Sequence, residues 1–412
     1  MKISRPDINS LLLILLGIVL LSGLTWANYR YASESPGGND FVPRWIGTRM
    51  FVMERVSPYS DQASEAIQDF MYGRPARGAE DRALFVYPHY SMLVFAPISL
   101  VADFPLARSL WMTALEVALA GVVFLSISLA RWRPTLPVFA VLLIFTFTGY
   151  HSVRPIINGN VAVLVALFIT LAMYNIFKNQ DVYAAVLLAL ATVKPQMVVL
   201  ILPFVIYWGL SMRRWKLAVG TVVGVFILSA ASMMVEVDWI IQNIRQILIY
   251  PEYSPAGTPR AIFEIWWPGI GDQLGKGLSI FLGILLVWEW LVVWGKGSRW
   301  FLWTASLTLV VTNLIGIPTA TANYVALFPA LILVFSLVEQ RWGRSGNRIN
   351  TAVMIGLLVG LWILFVNTIQ PGMGGQPVQG GIMFFPLPLL LLFGLYWVRW
   401  WAIKPRRGES AA

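Results

Sequence analysis

The chain has 412 residues, no cysteine and only two histidines, His89 and His151. Without thiols there is no disulfide framework and no cysteine-ligated metal or redox centre. Two imidazoles are also too few for a multi-histidine metal site. Charge is scarce: 12% of residues are Asp, Glu, Lys or Arg, against 58% hydrophobic. An ordinary soluble domain carries about 25% charged residues, so a soluble enzyme is excluded. Internal repeats, low-complexity tracts and a separate soluble domain are absent too. The one glycine-rich stretch, Gly372-Met373-Gly374-Gly375, lacks the strand-then-helix context of a phosphate loop or dinucleotide motif, and ATP hydrolysis finds no support. No cofactor and no metal are expected.

What is present is apolar sequence in long runs, with a mean hydropathy of +0.70. Twelve runs stand out, at 10–27, 105–129, 135–149, 159–177, 181–193, 196–210, 216–235, 277–294, 300–316, 321–338, 351–368 and 382–401. Several approach the ~20 residues that cross a bilayer. The expected fold is an all-α polytopic membrane protein with about 12 transmembrane helices, forming a single domain over 1–402 with a basic tail, 403–412. The first run lacks a small-residue cleavage site and reads as a retained helix. The net charge of +10 is scattered between the runs, not gathered on one soluble face, so membrane lipids are the expected partner and nucleic acid is not.

The basic clusters set the direction of the spans. If 89–101 does not cross, more than half of the 30 basic residues fall in short connections on one side, while 317–322 and 369–381 on the other side hold none. By the positive-inside rule both termini are then cytoplasmic, and 89–101 is an interfacial or re-entrant helix. Two long connections, 28–90 and 236–276, face outside. No glycosylation sequon or retention signal is present, which favours a plasma (inner) membrane.

Function concentrates in long ordered loops. The first carries Gly37-Gly38-Asn39-Asp40-Phe41 and then an expected amphipathic surface helix over 41–55, with a second helix starting near Ser60. Asp40 is either the cap of the first helix or a carboxylate with chemistry. The acids Asp61, Glu65 and Asp69 share one face and read as solvated. Tyr87-Pro88-His89 sits at the membrane boundary. Arg154 and Asn158-Gly159-Asn160 form either an ordinary loop or a set of donors for an anion. Lys194-Pro195-Gln196 breaks two apolar runs: Lys194 either snorkels or faces a wet cavity and holds a phosphate. Glu116 and Glu289 read as structural. Asn323-Tyr324 returns polar groups to the outer face.

In order, Gly38-Asn39-Asp40-Phe41, Ser57-Pro58-Tyr59, Tyr87-Pro88, Asn158-Gly159-Asn160, Lys194-Pro195-Gln196 and, more loosely, Asn323-Tyr324 resemble the motifs of the C-type glycosyltransferases, and within them glycosyltransferase family 87. The resemblance runs from Gly38 to about residue 338. The chain departs where the family often has Tyr-Pro-Pro (here His89 is third) and Gly-Gln (here Asn160), and it lacks an acid near Tyr324. The resemblance implies an inverting, membrane-embedded enzyme. Its donor would be a polyprenyl-phosphate sugar, mannose or a similar hexose or pentose, and its acceptor a lipid-linked or glycan molecule. It also implies that Asp40 is the general base. Lys194, Arg154, His89 and His151 would then meet the donor phosphate. Asn39, Tyr87, Asn158, Asn160, Gln196, Asn323 and Tyr324 would bind substrate, and Trp45, Trp266 and Trp267 would pack on sugar faces. A transporter or flippase for a lipid-linked saccharide is the alternative.

Overall fold

The computed structural model describes residues 8–78, 80–249, 257–371 and 377–404. The Gly372–Gly375 stretch and the tail beyond Lys404 lie outside the described residues. The chain folds into α1 (Ile8–Glu34), α2 (Val42–Glu54), α3 (Asp61–Tyr72), α4 (Met92–Ser99), α5 (Phe104–Leu129), α6 (Leu136–Thr148), α7 (Tyr150–Asn158), α8 (Ala162–Phe177), α9 (Asp181–Ala191) and α10 (Pro195–Val198). It continues through α11 (Ile201–Ser211), α12 (Trp215–Met233), α13 (Trp239–Ile249), α14 (Pro259–Trp266), α15 (Gly271–Val293), α16 (Ser298–Thr312), α17 (Phe328–Trp342), α18 (Arg344–Thr368) and α19 (Pro386–Ile403). Two-residue strands, Gln370–Pro371 and Pro377–Val378, pair antiparallel.

Every one of the twelve apolar runs contains helix. Among the described residues, 8 helices are long and apolar enough to cross a membrane, and Ala162–Phe177, Asp181–Ala191 and Pro195–Ser211 are shorter apolar helices. Burial sorts them. In α17 every residue from Phe328 to Val338 is buried, as expected of a helix that is apolar all round. The N-terminal helix is the opposite case, with only 6% of its most apolar window covered.

Polar seams inside the bundle explain the two isolated acids. Asn28 Nδ2 donates to Glu116 Oε2 at 2.8 Å and to Thr113 Oγ1 at 3.1 Å, fastening α1 to α5. Arg399 of α19 donates to Glu289 Oε2 of α15 at 2.8 Å. Such interhelical bonds contribute on the order of 1 kcal/mol each in a membrane.

Three expectations change. The first helix runs on to Glu34, so the connection begins at Ser35 instead of 28. Residues 150–158, read as part of a loop, form α7, which starts after the extended Gly149. The first-loop helix α2 does form, but Val42–Thr48 and Met50 are all buried. It is packed inside the protein and does not lie on a surface with one face free. The physical reason is that Tyr87 covers Arg44 and the end of α4 takes Arg49 through the Ser99 carbonyl, while Phe70 of α3 packs on Trp45; of the polar set only Glu54 and Arg55 stay exposed. By contrast α3 matches its reading: Ser60 caps it, accepting from the Ala63 amide at 3.2 Å, and Asp61, Glu65 and Asp69 are exposed. The 89–101 segment holds a 3-10 turn, His89–Ser91, and the 8-residue helix α4, together about 18 Å of rise, far short of a ~30 Å hydrocarbon core.

Candidate active site

The site is assembled where the sequence motifs meet. At Gly37 the backbone has φ +143°, and a Cβ there would lie 2.5 Å from Arg108 Nη2. Only glycine lets the turn close over this guanidinium. Arg108, 1% exposed on α5, donates to the Ser35 carbonyl at 2.8 Å and to the Ile157 carbonyl at 3.2 Å. One buried cation thus ties the first loop to the end of α7.

The second half is built on Gly159, which ends α7 in the left-handed conformation (φ +69°); a Cβ there would meet Phe41 Cβ at 2.5 Å. Trp111 stacks on Phe41 and donates to the Gly159 carbonyl at 2.8 Å. The amides of Asp40 and Phe41 both donate to the Asn158 carbonyl at 3.1 Å. The Asn39-Asp40-Phe41 and Asn158-Gly159-Asn160 segments are therefore in direct contact.

This contact delivers the side chains. Asn160 Nδ2 donates to Asp40 Oδ2 at 3.0 Å, and Lys194 Nζ donates to Asn160 Oδ1 at 2.8 Å. The same Oδ1 accepts from the Ala162 amide at 2.9 Å at the start of α8. With two donors on its oxygen and a carboxylate on its nitrogen, the Asn160 amide is oriented uniquely. Lys194 precedes Pro195, the first residue of α10, and is 3% exposed. It is buried in protein and does not snorkel. Asp40 is half-buried. The N-cap of α2 is Phe41, which has no side-chain cap bond, so capping does not account for Asp40.

Two charges missing from the sequence reading complete the constellation. Arg44, one helical turn after Asp40, is 7% exposed and lies over the Tyr87 ring at 4.1 Å. Lys194 interacts electrostatically with both Asp40 and Arg44. Asp81 interacts with the same two residues. Its Oδ1 accepts from the Ala83 amide at 2.8 Å, and Ala83 has φ 50°, rare for a residue with a Cβ. Asp81 is exposed, and partial desolvation raises its carboxyl above its ordinary range; the Ala83 amide and Arg44 oppose this, and the Asp40 charge adds to it. The Asp40-to-Arg44 spacing of four was a usable signal. Glu80-Asp81-Arg82 looks like any solvated charge run, and nothing local marks Asp81.

Tyr87 forms a wall of the site. Its carbonyl accepts from Tyr59 Oη at 2.7 Å and from Asn243 Nδ2 of α13 at 3.0 Å. This joins the Ser57-Pro58-Tyr59 motif to the second outside connection. Asn39 lies between the glycine turn and Asp40, and half-buried Gln196 follows Lys194 on α10.

The remaining candidates go elsewhere. His89 packs edge-on against Phe51. Burial pushes its imidazole below the ordinary value, with Glu236 opposing, so at neutral pH it is a neutral group and not a cation. His151 packs against Tyr324, centroids 4.9 Å apart, and Tyr324 Oη donates to the Phe384 carbonyl. Arg154 turns to α18, over the Phe365 ring at 5.1 Å. Asn323 donates to Thr319 Oγ1 at 3.0 Å. Arg154, His151 and Tyr324 gather around Tyr150, Thr321 and Gln379, while Thr319 links Asn323 to Asn313. Trp45 is 5% exposed and donates to the Val101 carbonyl, leaving no open face for a sugar. Trp266 and Trp267 are partly exposed and pack with Phe263. Among the described residues no group of three His, Cys, Asp or Glu could hold a metal ion.

No curated protein and no solved structure matches the chain. The model of glycosyltransferase family 87 matches residues 85–318, more than half of the chain. That stretch contains Tyr87, Asn158 to Asn160 and Lys194, the partners that close around Asp40. The buried charges gathered at one end of an apolar helical bundle and this match agree: the chain belongs to glycosyltransferase family 87 and is a membrane glycosyltransferase.

Proposed function

We propose that the chain transfers a sugar, mannose or a similar hexose or pentose, from a polyprenyl-phosphate donor to a lipid-linked or glycan acceptor, with inversion and with Asp40 as general base. The observation that carries this reading is the Asp40–Asn160–Lys194 chain of hydrogen bonds. It sets a carboxylate and an ammonium on opposite sides of one fixed amide. The acceptor hydroxyl oxygen attacks the anomeric carbon as the bond from that carbon to the phosphate oxygen breaks. The phosphate leaves with the bonding electrons, and the hydroxyl proton passes to Asp40. Lys194 and Arg44 lie where a departing phosphate gains charge, and fixed cations act most strongly there. Asn160 keeps Lys194 from collapsing onto Asp40, so the base stays available.

On this reading the chain crosses the plasma (inner) membrane twelve times as a single domain over 1–402, followed by the 403–412 tail. Both termini are cytoplasmic and the site opens outside. The grouping of polar residues at one end of the bundle, with no repeat, supports an enzyme over a flippase.

The test is Asp40→Asn, assayed with a panel of polyprenyl-phosphate sugars in membranes. The variant keeps the size of the side chain and its contact with Asn160. Transfer should fall roughly 10²–10⁴-fold, the usual worth of a positioned base, with donor binding and folding retained. Near-normal transfer in a folded Asp40→Asn protein overturns the assignment.

A further inference from the structure

The second long connection is not all loop. Shortly after α12 ends at Met233, it forms helix α13, Trp239–Ile249. With 11 residues this helix rises about 16 Å, too little to cross a ~30 Å hydrocarbon core. Its polar and apolar sides are reversed relative to a helix on a soluble surface. The buried side carries Trp239, Asn243 and Gln246. Asn243 Nδ2 donates to the Tyr87 carbonyl and Gln246 Nε2 to the Tyr59 carbonyl, both at 3.0 Å. The Trp239 indole donates to the Ser229 carbonyl of α12 at 3.3 Å. Turned away from the protein, at 3.6 residues per turn, are Ile240, Ile241, Ile244, Ile247 and Leu248. All five are exposed, Ile241 by 63% and Leu248 by 72%.

We infer that α13 is an interfacial helix whose isoleucine face sinks into the bilayer leaflet at the active-site end, with Arg245 and Gln242 along its edge toward water. Three observations select lipid as the occupant of this face. A helix with charge outside and apolar residues inside suits water; here the polar amides point inward and the aliphatic side chains outward. The face also continues that of α12, through Met234, Val235 and Val237, all exposed, and α12 is itself long and apolar enough to cross a membrane. Finally, the remaining edge is polar. Arg245 is exposed there, and Gln242 Nε2 donates to Glu236 Oε1 at 3.0 Å and to Asp238 Oδ1 at 2.7 Å.

One side to protein, one to lipid and one to water is the arrangement of a helix lying in the plane of the interface, where the apolar face enters about 5–10 Å into the headgroup and acyl boundary. The bilayer then braces the site through this helix. Asn243 and Gln246 hold the carbonyls of Tyr87, a wall of the Asp40 site, and of Tyr59, which itself donates to the Tyr87 carbonyl. The contact with lipid is independent of the transferase chemistry and of which compartment the site faces.

The chain has no native cysteine, so Ile244→Cys, Arg245→Cys and, on the exposed face of α3, Asp61→Cys can each carry one nitrobenzoxadiazole label. The purified full-length variants are placed in phosphatidylcholine nanodiscs. Fluorescence at Ile244 should be quenched by acyl-brominated phosphatidylcholine more strongly than at Asp61, and by aqueous iodide less. The Arg245 position should be open to iodide. If the label at Ile244 prevents reconstitution, Ile241→Cys takes its place and the same comparisons decide. Shielding of the isoleucine position from both quenchers would mean that a second copy or another protein covers the face, and would overturn the assignment. So would bromolipid quenching no stronger than at Asp61, iodide quenching as strong as at Asp61, or an Arg245 label as shielded from iodide as the isoleucine label.

Discussion

Asn160 holds two opposite charges apart with one amide, and this makes its removal informative. Asn160→Ala leaves the Lys194 ammonium buried without its neutral acceptor. An orphaned buried donor costs about 1–3 kcal/mol, more when charged. Tm should drop, and transfer should fall with it because the amide that holds Asp40 is gone. Adding Lys194→Met to Asn160→Ala removes the stranded charge, so the double variant should be more stable than Asn160→Ala alone. A double variant of lower or equal Tm would show that Lys194 is satisfied in some other way. Lys194→Met by itself should raise the donor KM, and an unchanged KM would separate the lysine from phosphate binding. At this scale the motifs single out Asp40, Asn160 and Lys194, which the fold joins by hydrogen bonds, because each is a polar residue at a backbone break. Arg44 and Asp81 were hidden: one sits inside a helix whose burial is not visible in its own periodicity, and the other sits in an unremarkable charge run.

Elements meet at the site through glycines, while His89 packs beside Phe51 outside it, and both contacts can be tested. Gly159→Ala adds a Cβ to a left-handed residue 2.5 Å from Phe41 Cβ. The strain alone is on the order of 1–2 kcal/mol, and Phe41 cannot move without shifting Asp40. Both Tm and transfer should fall together; a variant of normal Tm and activity would mean that the two loops are not in rigid contact. His89 supplies a pH test. Its folded-state value is lowered below the unfolded 6.5 by burial, so the unfolded chain takes up the proton first. The stability it contributes is full above 6.5 and is lost as pH falls through 6.5 toward the folded value. His89→Phe, which keeps a ring against Phe51, should flatten the fall in Tm between about pH 7 and about pH 5. An identical slope in the variant would show that another group titrates. Helix was legible in every apolar run; the burial of α2, the helicity of α7 and the short helices α13 and α14 were not, since each depends on neighbours outside its own segment.

Across the whole molecule, the membrane orientation decides which compartment supplies substrate. The chain has no native cysteine, so single cysteines report cleanly. Asp61→Cys, on the exposed face of α3, should react with an impermeant reagent added outside. Ser345→Cys, exposed at the start of α18, should react only after permeabilisation. The reverse pattern would invert the topology and move the site to the cytoplasm.

By itself the sequence determined the class of protein: apolar runs of membrane length, too few thiols and imidazoles for a cysteine-ligated or multi-histidine centre, and short polar motifs in a set order. These are local properties, written in composition and spacing, and they survive without knowing which helix packs on which. Only the tertiary structure decided which polar residues share a site. It brought Asp40, Asn160 and Lys194 together and added Arg44 and Asp81. It drew Arg154, His151 and Tyr324 into a separate cluster around Tyr150. Residues 120 or more positions apart meet because Gly37 and Gly159 let two loops close against Arg108, Phe41 and Trp111. Long-range packing of this kind leaves no periodic trace in the chain.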